Sequence, residues 1–325
     1  MAWTGARAGG TGWTGSRRTV LAAGLAAGLS PLVAGCQSGD GDGKSPFTGK
    51  DGAGDKVLAV KIDNIAAARP QTGLEDADIL YTEEVEAGLS RILAVFAAHL
   101  PDRVGPVRSA RESDLELLRQ FGHPALAYSG AQAKLRPMLE SAPIAALPPR
   151  EAPDAYVRST DRAAPHNLYL LPARALKAAS DASAPADIGF RFGAAPRGGT
   201  ATDRQEVRYS AARFAFTWSA DRHRWLVSMD GTPFRTTGAG QLGVATVVIQ
   251  YVTVRSSRLH DKWGSVTPYT QTVGSGDALV LRDGKKYQAE WSRPAADNGT
   301  TFTTPEGHSL PFAEGPIWVA LTPKS

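Results

Sequence analysis

The hydrophobic pattern divides the chain into two parts, and the first part alternates between strand-like and helix-like stretches. Apolar runs of strand length occupy residues 57–62, 77–85 and 92–100. Ser109 and Glu112 have the spacing of a capping box, and the apolar positions after them recur at helical spacing up to Gly122. Strands that alternate with helices predict an N-terminal α/β domain with a mixed sheet over residues 56–192.

The second part follows a glycine-, alanine- and proline-rich stretch, which we interpret as a linker over residues 193–206. Beyond it, apolar residues alternate with polar ones, as in strands that bury one face. Asp283-Gly284 separates two such alternating runs, and this is a strong hairpin signal. The pattern predicts a mostly antiparallel C-terminal β domain over residues 207–325, and therefore an α+β fold for the whole chain.

The first 35 residues have the organisation of an export signal. Arg17 and Arg18 precede an apolar run at residues 20–34, which is too short to remain as a membrane-spanning helix. Cys36 follows small residues directly, which resembles the lipobox of bacterial lipoproteins. This resemblance implies cleavage before Cys36, a diacylglycerol anchor on its thiol, and a location at the outer face of the cytoplasmic membrane. A flexible tether is expected over residues 36–55, and the export route, twin-arginine or general secretory, stays open.

Composition narrows the range of partners. The chain has 36 basic and 32 acidic residues, but three arginines precede Cys36, so the mature part is almost neutral. Because no basic run remains there, nucleic acid is not expected as a partner. Cys36 is the single cysteine, which excludes an intrachain disulfide and, once it is lipidated, a thiolate metal site. No cofactor fingerprint and no local metal motif is present, although a metal site built from distant His, Asp and Glu residues stays open.

Polar residues that could carry chemistry gather in four segments. The candidate acids and bases are Asp63, Glu84, Glu86 and His166. The candidate ligand-binding residues are Asn64, Arg69, Gln71, Arg91, Arg108, Ser109, Arg111, Arg162 and Asn167. Arg108 and Arg111 stand beside a predicted helix start, where free N–H groups and two guanidinium groups suit a carboxylate or a phosphate. Glu84 and Glu86 are expected on one face of a strand, where they could divide acid and base roles.

Three functions fit these residues. The first is a surface-tethered binding protein with a polar cleft for an anionic cell-wall ligand. The lining of that cleft would be Arg69, Arg108, Arg111 and His166. The second is an envelope hydrolase that uses the two glutamates, or Asp63 with His166, as acid and base. The third is a scaffold that docks envelope proteins on its β domain. Structural roles stay open beside these: the arginines would then pair with the glutamates, Asp63 would cap a turn, and His166 would bond a backbone carbonyl.

A series of motifs also runs along the chain in a fixed order. They are Ile62-Asp63-Asn64, Gly105-Pro106-Val107-Arg108-Ser109-Ala110-Arg111, Ala164-Pro165-His166-Asn167 and the segments at 68–74, 77–81, 88–91 and 272–276. This order resembles the YerB family of bacterial lipoproteins over nearly all of residues 57–322. The resemblance implies an anchored lipoprotein with an N-terminal and a C-terminal domain, both of unknown function. Many relatives have a histidine where this chain has residues 127–131, so no role for a histidine is expected there.

Overall fold

The structure, a computed structural model, describes residues 1–2, 43–260, 264 and 266–324. Cys36, the predicted signal peptide from residue 3 onward and the first part of the predicted tether lie outside these residues. Those from 43 onward belong to one compact unit. Among the helices that the structure describes, none combines the length and the apolar character needed to cross a membrane.

Strands predominate in the secondary structure. In chain order they are β1 (Leu58–Asp63), β2 (Ile79–Glu84), β3 (Ser90–Phe96), β4 (Ala125–Ala127), β5 (Ala145–Leu147), β6 (Tyr156–Arg158), β7 (Leu168–Leu170), β8 (Thr200–Ala201), β9 (Arg204–Arg208), β10 (Arg213–Ser219), β11 (Arg224–Met229), β12 (Thr232–Pro233), β13 (Arg235–Thr236), β14 (Gly240–Gln241), β15 (Gly243–Val244), β16 (Thr246–Val252), β17 (Val254–His260), β18 (Val266–Thr270), β19 (Gly274–Arg282), β20 (Lys285–Arg293), β21 (Thr301–Thr303) and β22 (Ile317–Pro323). The α-helices are α1 (Glu112–Leu118), α2 (Arg136–Ser141) and α3 (Pro172–Ala178).

One large mixed sheet joins strands from both parts of the chain. Its order is β21-β20-β19-β16-β22-β2-β3-β1-β4-β5, with β8 paired to β20. The last strand, β22, lies between β16 and β2 and runs parallel to both. A second sheet has the order β12-β11-β10-β9, with β15 paired to β11. The two predicted domains therefore share one sheet.

The alternation of side chains along β1 separates two cores. Val60 belongs to the core that includes the inward side chains of the second sheet and Trp318 of β22. Ala59 points the other way, into the core that α1 and α2 cover. Lys61 and Asp63 follow Ala59 on this second face, and both are fully buried. The face is therefore apolar where β1 begins and charged where β1 ends.

Packing begins before the end of the predicted tether. Phe47 is fully buried, and its ring meets that of Phe121 edge to face at a centroid distance of 5.4 Å. The N–H of Ser45 donates to the carbonyl of Lys50 at 2.6 Å and closes a turn around Phe47. The structure differs from the predicted tether of residues 36–55 here, because one aromatic side chain fixes this glycine- and serine-rich segment to the core.

The predicted fold class is confirmed. The N-terminal strands form the mixed part of the sheet, and the C-terminal strands are mostly antiparallel. β19 and β20 form the expected hairpin, in which Asp283 and Gly284 both have positive φ angles, 50° and 70°. Such angles are required by the two-residue turn that best matches the twist of paired strands.

The start of α1 is a correction to the predicted capping box. The helix begins at Glu112, so the N-cap is Arg111 rather than Ser109. Asp114 takes the third helical position, and its Oδ2 accepts a hydrogen bond from the N–H of Arg111 at 2.7 Å. Asp114 thus has the role that the prediction gave to Glu112, and the backbone donor is the N–H of Arg111 rather than that of Ser109.

Candidate functional site

The candidate site lies where β1 ends, at an edge of the large sheet that several strands share. β1, β4 and β5 run parallel, and β2 has the same direction because both β1 and β2 are antiparallel to β3. Their carboxyl ends therefore lie at one edge. In open sheets with helices on a face, ligands bind outside the carboxyl ends of the strands. Asp63, the last residue of β1, is at the centre of the polar residues gathered there.

The carboxylate of Asp63 is fully buried and contacts three basic side chains. Its Oδ2 lies 2.8 Å from Nδ1 of His166 and 3.4 Å from Nε of Arg108. Its Oδ1 lies 3.5 Å from Nη1 of Arg91, which faces Asp63 across β1 and β3. A buried carboxylate requires such partners, because an isolated charge is costly to remove from water. Asp63 therefore holds together three segments that are distant in sequence.

Asp63 also fixes the orientation of His166. An ionised carboxylate can only accept, so the histidine donates from Nδ1 and, when neutral, has its lone pair on Nε2. Within the described part of the chain Nε2 has no hydrogen-bond partner, and 19% of the side chain is exposed. This arrangement suits both a general base and a donor to an anion, depending on the protonation of the ring. The bond to a backbone carbonyl that we considered for His166 is replaced by this bond to a carboxylate.

Arg108 is positioned by backbone hydrogen bonds on both sides. Its N–H donates to the carbonyl of Lys61 at 2.7 Å, and its carbonyl accepts from the N–H of Ser129 at 2.9 Å. The residue thus lies between the end of β1 and the loop that follows β4. The side chain is 27% exposed, and its two terminal nitrogens have no hydrogen-bond partner among the described residues. Arg108 is therefore a cation that is available to an anion from solvent.

A second charged group lies deeper on the same face of β1 and is closed to solvent. Nζ of Lys61 lies 2.6 Å from Oε1 of Glu83 and 2.6 Å from Oδ1 of Asp114. Burial alone would lower the pKa of Lys61, but the two carboxylates outweigh burial and raise it. Burial raises the pKa of Asp114 in spite of Lys61, and the nearby Glu83 adds to this effect. The buried group of Lys61, Glu83 and Asp114 therefore has one more acid than base, whereas the side chains of the site that reach solvent are basic.

The two glutamates that we expected to act as a pair are not together. β2 ends at Glu84, and Glu86 begins a short 3₁₀ turn, so the alternation of a strand does not continue between them. Glu84 accepts a hydrogen bond from Oγ of Ser210 at 2.7 Å, whereas Glu86 lies 2.8 Å from Nη2 of Arg111. Burial would raise the pKa of Glu86, but Arg111 holds that pKa below its usual value. Glu84 and Glu86 therefore do not share one face of a strand, and they do not form the acid–base pair that we predicted.

Three of the predicted ligand-binding residues, Asn64, Arg69 and Gln71, make hydrogen bonds within the loop after β1. Nε2 of Gln71 donates to Oδ1 of Asn64 at 2.8 Å and to the carbonyl of Asp63 at 3.2 Å. Arg69 donates to the carbonyl of Asn64 and forms an ion pair with Asp230 at 3.0 Å. These contacts fix the loop, so Arg69 does not join Arg108 on the carboxylate of Asp63.

The predicted residues of the last segment brace the loop that carries His166. Arg162 donates to two backbone carbonyls of the loop after β1. Nδ2 of Asn167 donates to the carbonyl of Ser159 at 2.9 Å. Ser109, next to Arg108, is half-buried, and its hydroxyl has no partner in the described ranges. Arg162 and Asn167 therefore position the site, and none of the three residues contacts the carboxylate of Asp63.

A cavity of about 340 Å³ adjoins the site at the ends of β4 and β5. It is lined by residues 128–131, Arg136 and residues 148–150. The carbonyl of Gly130 accepts from the N–H of Ala110 at 3.0 Å, which ties the cavity wall to the segment of Arg108. Burial raises the pKa of Tyr128, so its hydroxyl remains a hydrogen-bond donor. The side chain of Arg136 is exposed and makes no hydrogen bond with the described residues.

Several of these residues are not predicted by the sequence pattern. Lys61 and Asp114 were not among the candidates, although a lysine inside an apolar strand run is a signal in itself, because a buried ammonium requires a buried acid. Arg136 and Tyr128 gave no local signal, since their position at the cavity depends on the neighbouring strands. Within the described ranges, no three His, Cys, Asp or Glu side chains are grouped to hold a metal ion.

Comparison with known proteins matches both parts of the chain. Residues 47–185 match the N-terminal domain, and residues 205–319 the C-terminal domain, of a protein family described as of unknown function, DUF3048. The protein named "Putative lipoprotein YerB" of Bacillus subtilis (strain 168) is 26% identical over 289 residues, which are 82% of this chain and 81% of that protein. The crystal structure of YerB from Bacillus subtilis matches with a TM-score of 0.72 at 22% identity, over 85% of this chain and 95% of that one. The resemblance inferred from the motifs is confirmed.

Proposed function

This chain belongs to the DUF3048 family, and we propose that it is a lipid-anchored protein of the cell envelope that binds an anionic ligand beside Arg108 and His166. In this proposal Cys36 carries the lipid, and the folded part lies outside the cytoplasmic membrane. The ligand is an anionic cell-wall component, such as a peptidoglycan fragment or a peptide carboxylate. The name of the relative YerB supports the anchor, and the geometry of the site supports the ligand class.

The observation that carries the proposal is the charge distribution around Asp63. Two guanidinium groups, those of Arg91 and Arg108, face this one carboxylate, so the group has excess positive charge even when His166 is neutral. Arg91 is almost fully buried, whereas Arg108 and His166 reach solvent. A carboxylate or phosphate that approaches from solvent therefore meets one fixed guanidinium and one imidazole.

The adjoining cavity supports a ligand larger than a single ion. Tyr128 follows β4 and Arg136 begins α2, and both line this cavity beside the Arg108 segment. A volume of about 340 Å³ is within the range of small-molecule sites. The hydroxyl of Tyr128 and the guanidinium of Arg136 would bind polar groups of the ligand, while residues 148–149, both proline, provide a rigid apolar wall.

Calorimetric titration with soluble peptidoglycan fragments tests the proposal on the full chain in detergent. We expect Arg108→Ala to weaken binding by about tenfold or more, because a charge-assisted hydrogen bond is lost. Arg197→Ala is the matched control, since Arg197 is exposed and has no side-chain partner among the described residues. Equal affinities for wild type and Arg108→Ala, or no binding by either, would contradict the proposal.

A second candidate function is supported by one distance. His166 lies 2.8 Å from the buried Asp63, and its Nε2 has no partner in the described part of the chain. In an envelope hydrolase, Nε2 would take a proton from water as the oxygen attacks an amide carbonyl, and would return that proton to the departing amine. Arg108 would stabilise the negative oxygen of the intermediate.

Incubation of purified cell walls with the protein distinguishes the two functions. A hydrolase releases soluble fragments with new amino groups, and His166→Ala abolishes this release while Arg197→Ala retains it. A binding protein sediments with the walls and leaves them chemically unchanged. Release that persists in His166→Ala would exclude the Asp63–His166 pair as the acid–base group.

A further inference from the structure

A second cavity, of about 210 Å³, lies on the other side of the loop after β1. It lies between residues 69–71 and the segment that runs from the end of β11 to β13. Its lining is Arg69, Pro70, Gln71, Met229, Thr232, Pro233, Phe234 and Arg235. Both parts of the chain thus contribute to it, and the ion pair between Arg69 and Asp230 bridges them.

Gln71, one of the lining residues, contains a buried acceptor without a donor. Nε2 of Gln71 donates to the carbonyl of Asp63 and to Oδ1 of Asn64, and neither of these atoms can donate in return. The orientation of the Gln71 amide is therefore fixed, with Oε1 directed away from both. Oε1 is buried and has no hydrogen-bond partner among the described residues. An N–H or O–H group from a bound molecule would satisfy it.

Cationic groups border the same cavity. Arg235 is exposed, and its guanidinium makes no hydrogen bond with the described residues. Arg69 uses Nε and Nη2 for the Asn64 carbonyl and Asp230, which leaves Nη1 available. The cavity is thus bordered by two guanidinium groups, those of Arg69 and Arg235, and by one carboxylate, that of Asp230. One positive charge is therefore left unbalanced at the mouth of the cavity. Bidentate binding of a carboxylate is the contact that guanidinium geometry favours.

The other walls are apolar and rigid. Met229 and Phe234 are buried, and Pro70 and Pro233 complete the surface. At about 30 Å³ for each water molecule, the cavity would hold about seven waters. This is room for one small aliphatic residue with its carboxylate.

We propose that this cavity binds a small aliphatic α-carboxylate that has an N–H group on its α-carbon. The carboxylate binds Arg235 and the free nitrogen of Arg69, the N–H group donates to Oε1 of Gln71, and the aliphatic side chain packs between Phe234 and the prolines. A free amino acid and the last residue of a peptide share this chemistry. The inference does not depend on the proposed function, because it uses neither Arg108, His166 nor the carboxylate of Asp63.

Three probe molecules test the inference by calorimetry or ligand-observed NMR on the full chain. N-acetyl-alanine has both the carboxylate and the N–H group. N-acetyl-alaninamide lacks the carboxylate, and O-acetyl-lactate has an ester oxygen in place of the N–H. We expect N-acetyl-alanine to bind and each of the other two to bind about tenfold more weakly or worse, because each removes one of the proposed contacts. O-acetyl-lactate probes Oε1 of Gln71 without altering the protein.

Amino-acid substitutions test whether N-acetyl-alanine binds in this cavity. Arg235→Ala, at an exposed position, is expected to weaken the binding of N-acetyl-alanine by about tenfold, whereas Arg197→Ala leaves it unchanged. Free alanine that binds as well as N-acetyl-alanine supports a site for amino acids, and preference for the acetylated form supports a site for peptide ends. Absence of binding, equal binding by O-acetyl-lactate, or a loss in Arg108→Ala in place of Arg235→Ala would overturn the inference.

Discussion

Replacement of Lys61 by methionine would leave two buried carboxylates facing each other. Lys61 is the ammonium that Glu83 and Asp114 share, and all three side chains are nearly closed to solvent. Methionine has similar length and no charge, so it fills the space and removes the one cation of the group. The resulting loss of stability measures how much Lys61 stabilises the two buried carboxylates of Glu83 and Asp114.

The geometry sets the size of the effect. Both contacts meet at Nζ with a length of 2.6 Å, so the two carboxylate oxygens are at most about 5.2 Å apart, twice that length. At an effective dielectric constant of about 20, two unit charges at this separation repel by about 3 kcal/mol. Removal of one partner from a buried ion pair costs about 3–5 kcal/mol. We therefore expect Lys61→Met to lower the free energy of unfolding by about 3–5 kcal/mol at pH 8.

The loss should decrease as the pH falls. One carboxylate relieves the repulsion by taking up a proton, so its pKa in the folded variant lies above the unfolded value. The folded variant then binds more protons than the unfolded chain, and its stability rises towards low pH, by at most about 1.4 kcal/mol per pH unit. The wild type should have a smaller slope in this range, because Lys61 offsets the charge of the two acids.

Urea unfolding of the full chain between pH 5 and about pH 8, followed by tryptophan fluorescence, measures both quantities. Lys134→Met is the matched control, because Lys134 is exposed and has no side-chain partner in the described ranges. Lys61→Met with Glu83→Gln removes one of the two carboxylates and should recover about half of the loss or more. A loss below about 1 kcal/mol for Lys61→Met, or one that is the same at every pH, would refute the reasoning.

Three further predictions follow from single side chains. Arg293 is fully buried and donates to the carbonyls of Glu116 and Asn298, so Arg293→Leu should destabilise the protein by about 3 kcal/mol or more in the same urea assay; an unchanged midpoint would contradict this. Because the pKa of Glu86 is lowered in the fold, the folded state binds fewer protons than the unfolded chain, and stability should fall as the pH drops below about 4.5. Glu86→Gln should reduce stability at neutral pH and flatten this acid limb, and an acid limb identical to that of the wild type would count against the role of Arg111. Cys36→Ala should move the protein from the membrane fraction to the soluble fraction and remove the acyl mass, and retention in the membrane fraction would exclude the anchor.

Features that depend on neighbouring residues could be predicted from the sequence. The β19–β20 hairpin follows from Asp283-Gly284, and β1 follows from its short apolar run. The end of the helical segment at Gly122 was likewise predictable: α1 ends at Leu118, a 3₁₀ turn follows over residues 119–121, and Gly122 with φ of 77° ends that turn. Each of these signals is complete within about ten residues, so no knowledge of distant contacts was needed.

Features that depend on distant residues could not be predicted in this way. The central position of β22 arises from pairing with β2, more than two hundred residues earlier in the chain, and Nε1 of Trp318 donates to Oγ1 of Thr82 at 3.2 Å. The burial of Phe47 requires contact with the ring of Phe121, which lies far away in the sequence. Periodicity shows that a strand has a buried side, but it does not show which strand lies next to it.

The candidate site divides in the same way. Asp63 and His166 could be named as candidates because polar residues at a strand end and after a proline stand out locally. Their contact at 2.8 Å depends on how the loop after β6 returns to β1. Glu84 and Glu86 do not form a pair because β2 ends at Glu84, two residues before Glu86. An alternating pattern of apolar and polar residues does not show at which residue a strand ends.

We propose that an anionic envelope ligand binds where Asp63 holds Arg108 and His166. NMR of the full chain with isotope-labelled histidine, titrated with a soluble peptidoglycan fragment, tests it most directly. We expect the ring-nitrogen resonances of His166 to shift with saturation and those of the exposed His308 to stay in place. A ligand that binds and leaves the His166 resonances unchanged would exclude this site.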